Sequence, residues 1–148
     1  MTSTRRLPRA AMLLALALAC ETGNEVRATV TVPAEVAAAY SPSTQGLLLV
    51  RFRSEGADAV LREGAVLCGD AGTFTVSDFG DGGLSATTID AWIEPVDGRA
   101  CGPLAGDPIE EDAPLLGADE PQARAMIEGG RGGCEGNTAT VSLELALP

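Results

Sequence analysis

Carboxylates are the reactive groups this chain has in quantity. Asp and Glu number 21 against 10 basic residues, every one of them Arg, and there is no His. The run Asp78-Phe79-Gly80-Asp81-Gly82-Gly83 could offer two carboxylates and several carbonyls to a hard cation, and Asp97 and Asp107 stand at later Gly-containing turns. Calcium takes about six to eight oxygens from a folded loop. None of these stretches has the alternating D-x-D-x-D-G spacing of a dedicated loop. Solvated turn acids are therefore the expected role of Asp78, Asp81, Asp97 and Asp107, with calcium as the alternative and no other cofactor expected. Zinc lacks its ligands, since there is no His and no C-x-x-C pair. Without His or Lys, the usual bases for a Ser or Cys nucleophile are missing. Two carboxylates alone can hydrolyse a glycoside, but only across a sugar cleft. The chain is thus expected not to be an enzyme. Trp92, the single tryptophan, could stack on a sugar; on a strand, capping the core or packing between sheets is the expected role.

The first nineteen residues are organised differently from the rest. Arg5, Arg6 and Arg9 form a basic start, residues 10–19 are uncharged and apolar, and small Ala19 precedes Cys20. That is the anatomy of a signal peptide. Its apolar run is too short for a spanning helix, which needs about 20 residues. Leu16-Ala17-Leu18-Ala19-Cys20 resembles the lipobox of bacterial lipoproteins, although that pattern more often has Leu where Ala17 stands and a small residue where Leu18 stands. The resemblance implies diacylglycerol in thioether linkage on Cys20, cleavage after Ala19, and acylation of the new amino group. Two or more acyl chains on one residue give stable anchoring where one is marginal. In the lipoproteins it resembles, Asp after the cysteine often means retention in the inner membrane; Glu21 stands there instead, so the resemblance implies the outer membrane of the cell envelope. Residues 20–24 then form a short lipidated tether.

With Cys20 acylated, Cys68, Cys101 and Cys134 remain in an oxidising compartment. Three thiols allow one bridge, one leftover and three pairings. Cys101 and Cys134 both lie in Gly-rich loops that can adapt to disulfide geometry, so they are the favoured pair. Cys68 closes a candidate strand and becomes the odd thiol, expected as a small buried hydrophobe; an intermolecular bridge through it is the alternative.

Removing the leader leaves 129 of 148 residues, enough for one domain with one core. The net charge of −11 then falls to about −14, because the leader holds three Arg and no acid. Such a surface repels nucleic acid and anionic headgroups and favours cations or basic partner surfaces. Aromatics are 3 %, so a core must come from Val, Leu, Ile and Ala, which suits a thin sandwich.

Those aliphatics recur with period two. In residues 25–33, Val26, Ala28, Val30 and Val32 alternate with Arg27, Thr29 and Thr31; in residues 137–148, Ala139, Val141, Leu143, Leu145 and Leu147 alternate with Thr138, Thr140, Ser142 and Glu144. Residues 46–53, 72–77 and 85–94 repeat the pattern, while 65–68 and 123–127 repeat it more weakly. Gly- and Pro-rich turns separate these runs, one helical turn fits within residues 33–40, and residues 98–121 form a long acidic loop. The expectation is all-β: a single antiparallel β-sandwich of six to seven strands over residues 25–148, immunoglobulin-like or transthyretin-like. The run Ala91-Trp92-Ile93-Glu94-Pro95-Val96-Asp97-Gly98 followed by Gly106-Asp107-Pro108 resembles transthyretin-like (prealbumin-like) sandwich domains, over residues 46–108 and the last strand. Relatives carry several alternating acids where this chain has Pro95, Val96, Arg99 and Ala100. The expected function is a non-catalytic, lipid-anchored envelope protein that serves a structural role or binds an envelope protein, with no nucleic-acid partner. The alternative is a calcium- or carbohydrate-binding sandwich module.

Overall fold

The computed structural model describes residues 24–80, 87–109, 122–127 and 138–147. Alternation builds its strands. In β1 (Asn24–Val32), Val26, Ala28, Val30 and Val32 are buried while Arg27 between them is exposed. Side chains on a strand point to opposite faces in turn, so this pattern fixes one inner face. The other strands are β2 (Gln45–Ser54), β3 (Val60–Leu67), β4 (Gly72–Gly80), β5 (Thr87–Val96), β7 (Gln122–Ile127) and β8 (Thr138–Glu144); the central β2 and β5 are buried on both faces, so there alternation decides which face a side chain joins. A two-residue β6 (Gly102–Pro103) and one helical turn, α1 (Ala34–Ala37), complete the described elements.

The strands make two sheets, one of three in the order β4-β1-β8 and one of five in the order β6-β3-β2-β5-β7. Their inner faces share one core. Val26, Ala28, Val30, Val32, Val76 and Leu143 come from the smaller sheet, and Leu48, Val50, Phe52, Ala65, Ile89, Ala91 and Ile93 from the larger. The all-β sandwich expected from the period-two pattern is what forms. One pairing departs from a purely antiparallel construction: β8 runs parallel to β1. No hairpin joins these two strands, the first and last described, so no tight turn forces them to be antiparallel.

Helix α1 plugs one end of the core with Val36 and Ala37, both fully buried. Pro33 precedes it, and its carbonyl accepts the N–H groups of Val36 and Ala37 at 3.1 and 2.9 Å. A bulge interrupts the β2–β3 ladder, since Leu48 pairs with Ala65 but Leu49 pairs with Glu63. The skipped residue is Gly64, where a Cβ would stand 2.9 Å from Val76 Cγ2. Glycine at the bulge lets the two sheets approach there.

The first half of the long loop is anchored. Gly102 and Pro103 pair with Val66 and Ala65, Leu104 N–H donates to the Gly64 carbonyl at 3.0 Å, and Ile109 N–H donates to the Leu61 carbonyl at 2.9 Å. This strap satisfies the edge of β3, which would otherwise present unpaired backbone groups. It also corrects the expected disulfide. Cys101 bonds Cys68, with Cα atoms 5.9 Å apart, and not Cys134. The Val66–Gly102 rung sets the two cysteines at the same end of the β3–β6 ladder, a proximity that Gly-rich loop composition does not reveal. Cys68 is therefore half of the bridge and not the odd thiol. Cys134 lies outside the described residues, as does Cys20.

Candidate interaction face

The outer face of the five-stranded sheet collects the chain's tryptophan and its buried charge. Register places Leu61, Arg51, Asp90 and Arg124 in one cross-strand row, and Glu63, Leu49, Trp92 and Gln122 in the next. Directly opposite residues on adjacent strands sit about 4.5–5.5 Å apart, close enough for charged side chains to bond. Arg51 Nη2 donates to Asp90 Oδ2 at 2.9 Å, and Arg124 Nε donates to Asp90 Oδ1 at 2.6 Å. The Asp90 side chain is 2 % exposed and that of Arg51 8 %, whereas that of Arg124 is 65 % exposed. Burial pushes the Asp90 carboxyl up, but the bonds from Arg124 and Arg51 outweigh it and hold the group below its ordinary 3.8. Two guanidiniums share one carboxylate here, so the row is locally positive on a protein of strongly negative charge. Arg51 Nε finds no hydrogen-bond partner among the described residues.

Beside this row, Trp92 points away from the main core and is nevertheless fully buried. Leu49 and Leu61 flank it, with Leu47 and Ile109 packed against them as a second small core. Its indole N–H donates to Glu94 Oε1 at 2.9 Å, two residues along the same face. The Arg51 guanidinium lies 5.3 Å from the ring centroid, within cation–π range. Trp92 thus offers no open ring to a sugar, and it lies on the outer face of one sheet instead of between the two.

A third cluster fixes the strap at the far end of β2. Gln45, 5 % exposed, donates from Nε2 to the Arg99 carbonyl at 2.7 Å and accepts from Arg99 N–H at 3.0 Å. Arg99 in turn donates to both oxygens of Glu63, at 2.7 and 2.5 Å. Those bonds hold the Glu63 carboxyl below its ordinary 4.5 despite partial burial. The disulfide lies beside this clamp, with Gln45 Nε2 3.5 Å from Cys68 Sγ.

The acids singled out for a cation are dispersed. Asp78 bonds Arg62 at 3.1 Å, and Arg62 also donates to the Gly106 carbonyl at 2.6 Å. A guanidinium, with its own positive charge, therefore joins Asp78 to the strap and ties the two sheets across their open side. Asp97 and Asp107 are exposed, and Asp81 lies outside the described residues. Among the described residues, no three His, Cys, Asp or Glu gather into a group that could hold a metal ion. Sequence reasoning passed over Gln45, Arg51, Glu63, Asp90 and Arg99. The alternation of Arg51 and Arg53 with apolar β2 residues, set beside the like alternation of Asp90 in β5, was the available signal for the Arg51–Asp90 pair. Comparison with protein-family models, with curated protein sequences and with solved structures finds no match.

Proposed function

We propose that this chain is a non-catalytic protein of the bacterial cell envelope, anchored by lipid on Cys20, whose sandwich serves a structural role or binds another envelope protein. The observation that carries the reading is the leader that ends at Leu16-Ala17-Leu18-Ala19-Cys20, four residues before the first strand begins at Asn24. The pairing of buried charge supports a scaffold over a reaction centre. Arg51 and Asp90 neutralise one another under the outer face, and the half-buried Arg62 and Asp78 pair between the sheets. A general-acid carboxyl needs a raised pKa, whereas burial at Asp90 is outweighed by its two guanidinium partners and the group is held low. The outer face of the larger sheet, with exposed Arg124 at its margin, is the surface proposed for a protein partner. Arg side chains are among the usual anchors of such surfaces, and Arg124 is exposed here while Trp92 stays buried beneath the face.

Intact mass of the chain extracted from membranes tests the anchor. The expected species begins at Cys20 and carries acyl chains; one that retains residues 1–19 or lacks lipid overturns the address. Crosslinking in intact cells tests the partner. A reproducible envelope protein, lost on Arg124→Glu, is expected. Heat on titration with calcium or a glycan, with no protein crosslinked, would instead favour a ligand-binding module.

A further inference from the structure

The strand register brings one exposed aromatic to the end of the molecule where the tether enters. Strand β1 starts at Asn24, which pairs with Gly80, and the next rung pairs Glu25 with Phe79. Phe79 is 66 % exposed, the largest exposure of any large hydrophobic side chain described. The other such residue, Leu147, follows β8, which runs parallel to β1 and so ends at the opposite pole. Covalent geometry limits the reach from Cys20 to Asn24. Four residues extend at most about 14 Å, and one strand spacing of about 4.8 Å separates β1 from β4. Phe79 is thus held within a short chain length of any lipid on Cys20.

Local charge fits the same contact. An acidic surface is repelled by anionic headgroups, yet the two described acids nearest Phe79 on its own sheet are both paired. Glu25 bonds Arg27 at 2.9 Å and also accepts from Ser77 at 2.7 Å and Thr138 at 3.2 Å, while Asp78 bonds Arg62. Exposed Glu55 and Asp58 stand in the β2–β3 turn, at the same pole but on the other sheet. Among the described residues, the corner with the exposed aromatic and paired acids lies on the tethered sheet, and Glu55 and Asp58 lie on the opposite one.

Resting on the lipid-anchor reading, we infer that this corner is a membrane-contact surface: Phe79 seats its ring at the boundary between headgroups and acyl chains of the layer that holds Cys20. Aromatic rings partition into that boundary, and apolar groups of interfacial elements sit about 5–10 Å deep there. One Phe does not bind a soluble protein to a bilayer; the anchor supplies the effective concentration, and the ring sets orientation. The strands of the three-stranded sheet then rise from the membrane, with the Leu147 pole outermost.

The test uses the full acylated chain with Phe79→Trp, reconstituted into phosphatidylcholine vesicles with or without the same lipid brominated near the top of its acyl chains. Wild type supplies the baseline from buried Trp92, and Leu147→Trp is the distal control. The expected result is a blue shift of the added emission on reconstitution and its quenching by brominated lipid, with neither at position 147. Acylated Phe79→Trp protein whose added indole emits as in water and is not quenched overturns the orientation alone. Equal quenching at positions 79 and 147 also overturns it, as does a blue shift already present in detergent-free solution, which would place the ring against another protein surface. An intact mass without acyl chains, measured on the same sample, overturns the anchor and the orientation together.

Discussion

Breaking the Cys68–Cys101 bridge should cost stability without dismantling the strap at low temperature. The bond closes a loop with a sequence separation of 33. In the loop-closure account, constraining the unfolded chain over that length contributes about 3–4 kcal/mol. For a domain of this size each kcal/mol shifts the melting temperature by roughly 3–4 °C, so the Cys68→Ala/Cys101→Ala variant should melt about 10–15 °C lower. The double variant is preferable to a single one, which would leave a thiol to mispair with Cys134. Three contacts independent of sulfur still hold the strap: Gln45 to the Arg99 backbone, Arg99 to Glu63, and Arg62 to the Gly106 carbonyl. The folded baseline should therefore keep a buried indole, because Ile109 continues to pack on the Trp92 cluster. Far-ultraviolet circular dichroism follows the melt, and fluorescence of the single tryptophan follows the strap. Melting curves that coincide with and without the bridge would refute the loop-closure reasoning. A red-shifted indole at low temperature would refute the claim that side chains hold the strap. A non-reduced peptide map joining Cys101 to Cys134 would remove the premise of both.

Further expectations follow from single sites. Asp90→Asn leaves the Arg51 guanidinium buried beside a neutral partner and should cost about 3–5 kcal/mol, read from urea midpoints at neutral pH. Because the folded Asp90 carboxyl lies below its ordinary 3.8, its stabilisation is complete above that value and is lost as pH falls through the folded value. Asp90→Asn should then flatten the acid limb of a stability profile, and an unchanged limb would show that other carboxylates govern it. Gly46→Ala would place a Cβ 2.6 Å from Ile93 Cγ2 and 2.6 Å from Tyr40 Cε1, so overpacking should cost about 1–3 kcal/mol in the same urea assay. In acylated protein, thiol alkylation before reduction should label one cysteine, in the peptide that contains Cys134; label at Cys68 or Cys101 would contradict the bridge.

What the sequence made legible is what period two controls. The inward sets Val26–Val32 and Leu48–Phe52 read directly from alternation, because one buried face demands it, and the sandwich class followed from seven such runs. The disulfide did not read, because it depends on β6, a two-residue strand whose Gly and Pro carry a turn signature. Pairing it with β3 is a long-range choice that local composition cannot express. Trp92 read in part: alternation sets it opposite Ile89 and Ile93, where it is buried, but cannot show that Ile109 returns to cover it on the outer face. The parallel partnership of β1 and β8 is invisible for the same reason: register between the two ends of a chain leaves no mark on either strand alone. The calcium reading of Asp78 drew on its turn-like neighbours, whereas its partner Arg62 lies 16 residues back on another sheet.

The arginines explain how so acidic a chain can be both folded and charged. Arg27, Arg51, Arg62, Arg99 and Arg124 each bond an Asp or Glu. Arg62 ties the two sheets and Arg99 ties the strap, so basic charge here does the work of fasteners. A planar guanidinium suits that work because it can engage both oxygens of a carboxylate, as Arg99 does with Glu63, where an ammonium would present a point charge. With so much basic charge already paired to carboxylates, the field around the protein is set by the surplus acids. A partner drawn in by that field must be basic, and its association rate must fall steeply as salt shortens the screening length to about 8–10 Å. A partner that docks on the Arg124 margin instead meets the one described row where two guanidiniums share a carboxylate, and its binding should respond to Arg124 far more than to salt.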